Sequence, residues 1–202
     1  MFPMLQYLLL GLALSSTFSA AAQKVMVTGG YAHLGEKSFP GAPAVGLHGS
    51  VDIGRHVALG LTATAARARH PHELTIGSTW RPSRTVSELH NYLYSAHAVL
   101  AYRTNNASRW ALTVGPTFGV DAVGRKEQHG AANKIGLGVW NNLTYRHLWG
   151  SRFNLEAVFH PRILSRGPTL QDADVPFSDV NLLVLDIQLG LSFDLKKPTS
   201  IL

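Results

Sequence analysis

Cysteine is absent from the 202 residues, which excludes disulfides, thiolate metal sites and a cysteine-borne lipid anchor. Charged residues are scarce, at 15% of the chain against about 25% in an average soluble domain. Beyond residue 22 no apolar run approaches the roughly 20 residues that a membrane-spanning helix requires, although 46% of the chain is hydrophobic. Those residues are dispersed among Gly, Ser, Thr and Asn, and the 19 glycines would each weaken a helix interior. Also missing are a Gly-rich phosphate loop, a dinucleotide fingerprint and a Ser-His-Asp set. The net charge of +6 comes from scattered basic residues, mostly Arg, without a block of consecutive Lys/Arg or a nucleic-acid motif. Such scatter suits an anionic lipid surface, and nucleic acid is not an expected partner.

The first 22 residues read as an export signal. Leu5, Tyr7, Leu8, Leu9, Leu10, Gly11, Leu12, Ala13 and Leu14 make an apolar core too short to span a bilayer. The small residues Ala20 and Ala22 suit cleavage before Gln23. The segment lacks the Lys or Arg of a typical signal, so an N-terminal anchoring helix is the alternative. The expected organisation is a signal over 1–22, one domain over 23–195 and a short extension over 196–202.

Through residues 23–195 the apolar residues recur with period two, the spacing of strands and not of helices. Leu183, Leu185, Ile187, Leu189, Leu191, Phe193 and Leu195 share one parity, with Val184, Asp186, Gln188, Gly190, Ser192 and Asp194 between them. Val45, Leu47, Val51 and Ile53 alternate with Gly46, His48, Ser50 and Asp52. Trp110, Leu112, Val114, Phe118 and Val120 alternate with Ala111, Thr113, Gly115, Thr117, Gly119 and Asp121. Comparable segments run from Ile135 to Arg146 and from Phe153 to His160, with weaker ones near 24–35, 57–69 and 87–103. The pattern predicts eight strands. Short connections at Gly54-Arg55-His56, Thr104 to Ser108 and His147 to Ser151 alternate with longer ones near 36–43, 70–86, 124–133 and 166–180. Such alternation is expected of an outer-membrane barrel, with short periplasmic turns and long external loops. Pro116 and Pro161 each remove a ladder hydrogen bond and predict local bulges or displaced strand ends.

Parity does not say which face points inward, and a soluble lipocalin-like barrel alternates too. Here the polar face is mostly Gly, Ala, Ser and Thr with single charges, which suits a narrow eight-stranded lumen. Tyr92, Tyr102, Trp110, Phe118, Tyr145 and Phe153 have the other parity and fall near strand ends, like interfacial girdles. The expected fold is therefore all-β: a closed, eight-stranded, antiparallel, up-and-down transmembrane β-barrel.

On these residues the chain resembles the small OmpA/OmpX-type outer-membrane β-barrel family over nearly the whole of 23–195. The closing segment carrying Gln188, Gly190, Phe193 and Leu195 is similar to that family's terminal insertion signal. The resemblance implies outer-membrane location, recognition of the last strand by the barrel-assembly machinery, and contact with outer-membrane lipids and lipopolysaccharide. Unlike family members that stop at an aromatic residue, this chain continues to Leu202. A monomer is expected, and no cofactor.

The charged and polar residues of lumen parity are Asp52, His97, Asp121, Arg146, Glu156, His160, Arg162 and Asp186. Isolated charges in so narrow a space are very costly, so pairing into a plug is expected; a small gated pore is the alternative. The expected role is structural or surface-interacting, and no catalytic residue is assigned. Lipid A deacylases resemble this chain in size and topology, and they use a His and a Ser two residues apart with a carboxylate orienting the His. Glu156, His160 and Ser165 are the nearest equivalents, but Pro161-Arg162 follows His160 and the lumen parity is wrong for a lipid-facing site. His70-Pro71-His72-Glu73 offers two imidazoles and no third ligand, too little for a metal site. Arg67, Arg69, Arg81 and Arg84 lie in or beside the second long connection. They are candidates for lipopolysaccharide phosphates, which Arg can grip bidentately.

Overall fold

The structure, a computed structural model, describes residues 23–35, 41–76, 83–104, 109–125, 130–146, 152–165 and 181–195. Within the strands, 69–76, 83–89, 125 and 130–132 are described by their backbone alone. Residues 1–22 and 196–202, and with them the expected signal and extension, lie outside the described residues.

Eight strands run in sequence: β1 (Lys24–Leu34), β2 (Ala42–Asp52), β3 (Val57–Ile76), β4 (Ser83–Arg103), β5 (Trp110–Arg125), β6 (Gly130–Tyr145), β7 (Phe153–Ser165) and β8 (Leu182–Asp194). Each pairs antiparallel with its neighbours in the chain, and β1 closes on β8 from Lys24↔Asp194 to Leu34↔Val184. Closure removes both sheet edges, so the barrel can stand in hydrocarbon, which offers no hydrogen-bond partner. Every strand has at least 11 residues, and about 9–11 tilted residues cross a bilayer.

The two ends differ. At one, β2 turns into β3 through Ile53–His56, where Ile53 N and Gly54 N both donate to Val57 O. Gln23 and Leu195 meet at this same end, Leu195 N donating to Gln23 O at 2.8 Å. At the other end the strands have unequal height. Pairing of β2 with β3 stops at Ala44↔Ala66 and that of β4 with β5 at Asn91↔Arg125, yet β3 and β4 pair on to Ile76↔Ser83. A two-stranded ribbon therefore continues beyond the barrel wall. The sequence reading of 70–86 as loop is corrected, because strand pairing runs through all but 77–82. Alternation is poor there, since a ribbon with no lumen beneath it has no inner face to keep apolar or small. The loop expected at 124–133 is likewise shorter, with β5 running to Arg125 and β6 starting at Gly130.

Pro116 and Pro161 introduce no bulge, contrary to expectation. Val99 pairs with Thr117 and Tyr102 with Val114, three residues on along each strand, so the register is unchanged across Pro116. The same holds for Gly138↔Arg162 and Asn141↔Phe159 across Pro161. Each proline withdraws one N–H from the ladder and leaves the register unchanged.

Candidate functional site

Burial settles which parity faces in. Leu183 and Ile187 are 47% and 61% exposed, whereas Asp186 and Gln188 between them are 1% and 3% exposed. Val27, Val45, Leu59, Leu100, Leu112, Val120, Leu137 and Leu155 join them in a largely apolar outer wall. A lipocalin-like barrel would have the reverse arrangement. Aromatic residues gather on this wall near the turn end: Trp110 packs on Tyr145, Phe153 on Phe193 and His56 on Tyr102. Phe118, expected in a girdle, lies mid-strand opposite Ala98 and Leu137.

The lumen is filled in layers. Midway, Arg162 lies between two carboxylates, donating through Nε to Asp121 Oδ1 at 3.0 Å and through Nη1 to Asp186. Its Nη2 reaches Ser95 Oγ at 2.8 Å. The other Asp121 oxygen receives His97 Nε2 at 2.8 Å. The planar guanidinium fork serves both carboxylates at once from donors fixed in one plane, where a lysine would offer a single compact ammonium. Arg162 Nη1 also faces His160 Nδ1 at 3.4 Å; arginine only donates, so Nδ1 accepts and Nε2–H donates to Thr117 Oγ1 at 2.9 Å. Glycine makes room for this layer. A Cβ on Gly136 would lie 2.5 Å from His97 Cε1 and against the Asp121 carboxylate.

Toward the turn end, Glu156 is fully buried and both its oxygens are saturated. Oε1 takes Lys24 Nζ and Ser192 Oγ, each at 2.5 Å; Oε2 takes Thr144 Oγ1 at 2.6 Å and Asn142 Nδ2 at 2.8 Å. Between the two charged layers a row of rings crosses the lumen: His48 stacks on Trp140, Trp140 meets His160 edge-on, and His160 meets His97 edge-on. Toward the other end the lumen becomes apolar, with Leu34, Leu93, Val123, Leu164, Leu182 and Val184 fully buried together.

Of the expected lumen set, His97, Asp121, Glu156, His160, Arg162 and Asp186 are buried inside. Asp52 has lumen parity but stands exposed at the rim, 3.0 Å from Arg103. Arg146 is half-buried just past β6. Sequence reasoning passed over Lys24, Lys134 and Trp140, and it put His48 on the polar face without counting it in the lumen set. Lys134 and Trp140 have the parity of Gly136 and Asn142 and were legible by that rule, although a tryptophan among glycines reads as a lipid-facing residue. It also passed over the apolar layer, whose Val184 sits among polar residues of the same parity.

Glu156, His160 and Ser165 are not brought together. Glu156 is held by four other groups, His160 by Thr117 and Arg162, and Ser165 has the opposite parity with its hydroxyl on Ile135 O at 3.2 Å. Arg67 is exposed on β3 opposite Tyr92. Arg69 and Arg84 fall on the ribbon, paired with His90 and Thr75, and their side chains lie outside the described residues, as does all of Arg81. His70, Pro71, His72 and Glu73 are ribbon positions described by backbone alone. In the closing segment, Gln188 is buried and accepts Thr28 Oγ1, whereas Phe193 and Leu195 face out. Gly190 sits where a Cβ would press on the β1 backbone.

The apolar wall, closed hydrogen-bond ladder and charge-paired lumen together define a transmembrane β-barrel. The chain has the fold of the small OmpA/OmpX-type outer-membrane barrels. It is similar in structure to neisserial surface protein A, with 12% identity, a TM-score of 0.59, and 85% of this chain and 96% of that one covered. Ail, the attachment invasion locus protein of Yersinia pestis, aligns at 14% identity and TM-score 0.47 over 84% of this chain and 98% of its own. OprG of Pseudomonas aeruginosa aligns at 13% and 0.44 over 86% and 97%. At these identities the likeness is one of fold. No family model and no curated protein matches the sequence.

Proposed function

We propose that this protein is an integral barrel of the Gram-negative outer membrane, with a structural or surface-interaction role. In this reading it is exported by its first 22 residues and assembled through its last strand. The observation that carries the proposal is the pairing of opposites in one molecule: an apolar wall outside and a filled, charge-neutralised lumen inside. Arg162 with Asp121 and Asp186, and Lys24 with Glu156, pair their charges inside the barrel, which supports an interior that serves as the folding core and not as a channel. What remains for function is the surface beyond the membrane. There the β3–β4 ribbon runs on past the pairing of its neighbours, and Arg67, Arg69, Arg81 and Arg84, which lie in or beside that stretch of sequence, are cations suited to lipopolysaccharide phosphates.

The test has two readouts. Fractionation should recover the folded protein in the outer membrane, with a gel mobility that shifts on boiling. In planar bilayers the purified protein should pass no steady current, and replacing the four arginines with alanine should weaken lipopolysaccharide binding without loss of the heat shift. Recovery in the soluble periplasm, or stable conductance through the unmodified protein, contradicts the reading.

A further inference from the structure

The connections at the two ends of the barrel differ in charge. The three short ones, 53–56, 104–109 and 146–152, hold four arginines and no acidic residue. The four long ones, 35–41, 77–82, 126–129 and 166–181, mix four basic residues with five acidic ones. The strand ends beside the short connections add Arg103, Asp52 and Asp194, while Lys24 is taken up inside the lumen by Glu156. Among the described residues the turn-end rim therefore has five arginines against two aspartates. Directly after Leu195 the sequence continues with Lys196-Lys197. An excess of one sign at a single rim repels itself unless an anion outside the protein answers it.

The position of these arginines selects the anion. Arg103 follows Tyr102, Arg109 precedes Trp110, Arg146 follows Tyr145 and Arg152 precedes Phe153, so four of the five adjoin residues of the aromatic belt. Arg109 Nη1 donates to the Tyr145 hydroxyl at 3.3 Å, and Arg152 Nη1 to Leu195 O at 3.4 Å. Each is thus tethered at the rim by one of the five N–H donors of a guanidinium. Aromatic belts sit at the headgroup level of a bilayer, which puts the adjoining guanidiniums at the depth of the phosphates. Arginines occur at every short connection, from β2–β3 through β4–β5 to β6–β7, and so form a collar and not a one-sided patch. A docking protein covers one side of such a rim. A lipid leaflet surrounds it.

We propose that the collar of Arg55, Arg103, Arg109, Arg146 and Arg152 binds the phosphate groups of anionic phospholipids in the leaflet around the turn end. Arginine suits this role because its fork takes a phosphate through two parallel hydrogen bonds. Arg55 and Arg109 are exposed and the other three half-buried, so all five reach the surface. The proposal rests on the reading of the chain as a membrane barrel. It does not rest on lipopolysaccharide binding, which that reading gives to arginines at the opposite end.

The full chain is folded in nanodiscs of phosphatidylcholine with a minor fraction of phosphatidylglycerol. Spin-labelled phosphatidylglycerol should associate with the barrel about fivefold more strongly than spin-labelled phosphatidylcholine, the gain from about one arginine at an anionic surface. The preference should vanish in 1 M salt, where charges are screened within about 3 Å. Side-chain Nε–H resonances of Arg109 and Arg152 should shift as phosphatidylglycerol replaces phosphatidylcholine. Joint substitution Arg55→Gln, Arg109→Gln and Arg152→Gln should remove most of the preference with the heat shift retained, whereas Arg67→Gln, Arg69→Gln and Arg84→Gln together should leave most of it. Indifference of the inserted, unmodified barrel to the two lipids overturns the proposal. So does a preference that follows the ribbon arginines and not the collar. Unmoved Arg109 and Arg152 signals also overturn it, and they decide the matter even if the triple variant does not fold. Recovery of the chain as a soluble protein would sink the membrane reading as well, whereas lipid indifference in an inserted barrel sinks this inference alone.

Discussion

Arg162 shows how one side chain can decide whether a membrane barrel has a viable interior. With its guanidinium in place, Asp121 and Asp186 are countered inside a space that excludes bulk water. Without it, two carboxylates stand next to each other with no cation between them. Arg162→Met should therefore destabilise the folded barrel by about 3–5 kcal/mol, the range for breaking a buried ion pair by removing one partner, measured by urea unfolding in lipid vesicles. Arg162→Lys keeps the charge but loses the fork, and should fall between the two because one ammonium cannot reach Asp121, Asp186 and Ser95 together. An Arg162→Met variant as stable as the parent would mean that the lumen charges are already solvated. Gly136 makes a separate point about shape. Gly136→Ala adds one methyl group where the His97–Asp121 pair lies, and should cost about 1–3 kcal/mol by overpacking; equal stability in the same assay would contradict that placement.

Within a strand, the prolines expose a repair that a polarity scan would misread. Pro161 has no N–H to give the carbonyl of Val139 across the β6–β7 ladder. Asn141, two residues along β6 on the lipid-facing side, donates its Nδ2 to that carbonyl at 3.3 Å and to Phe159 O at 3.2 Å. An asparagine on the outer wall thus restores a backbone bond where hydrocarbon could not. Asn141→Leu makes the wall more apolar, yet should destabilise by about 1–3 kcal/mol, the cost of an orphaned carbonyl. In a Pro161→Ala background, which returns the N–H, the same substitution should cost little. Additive effects in this double-mutant cycle would rule out the repair. On β8, Leu189 is 65% exposed on the lipid face, and Leu189→Arg should cost about 2–4 kcal/mol. Unchanged stability of a correctly inserted Leu189→Arg variant would count against the assignment of that face to lipid.

These elements also mark what could be read without a structure. Period two gave the strands, and the excess of Gly, Ser and Thr on one parity marked the lumen, because a narrow barrel admits only small side chains opposite large ones. Partnerships were not legible. Which carboxylate meets Arg162 depends on register between strands remote in sequence, Asp121 lying 41 residues away. Strand ends were misjudged where the wall gives way to a ribbon, since alternation is a signature of having two different faces. The proline positions were flagged correctly but not their outcome, which depends on a side chain of the neighbouring strand.

For the whole molecule, the account depends on orientation. The barrel holds its polar and small residues inside, gathers a buried apolar layer toward the end away from the turns, and offers lipid an aliphatic belt with aromatics near the turn end. Since the chain has no cysteine, a scan can place a single thiol at each position of β8 in turn. With a nitroxide on each and the protein in lipid vesicles, collision with oxygen dissolved in the bilayer reports the lipid-facing positions. The account predicts high oxygen collision at 183, 185, 187, 189 and 191 and low collision at 184, 186, 188 and 192, with a period of two across the strand. The opposite phase, or labels at 187 and 189 shielded from the bilayer while those at 186 and 188 meet bulk water, would contradict it.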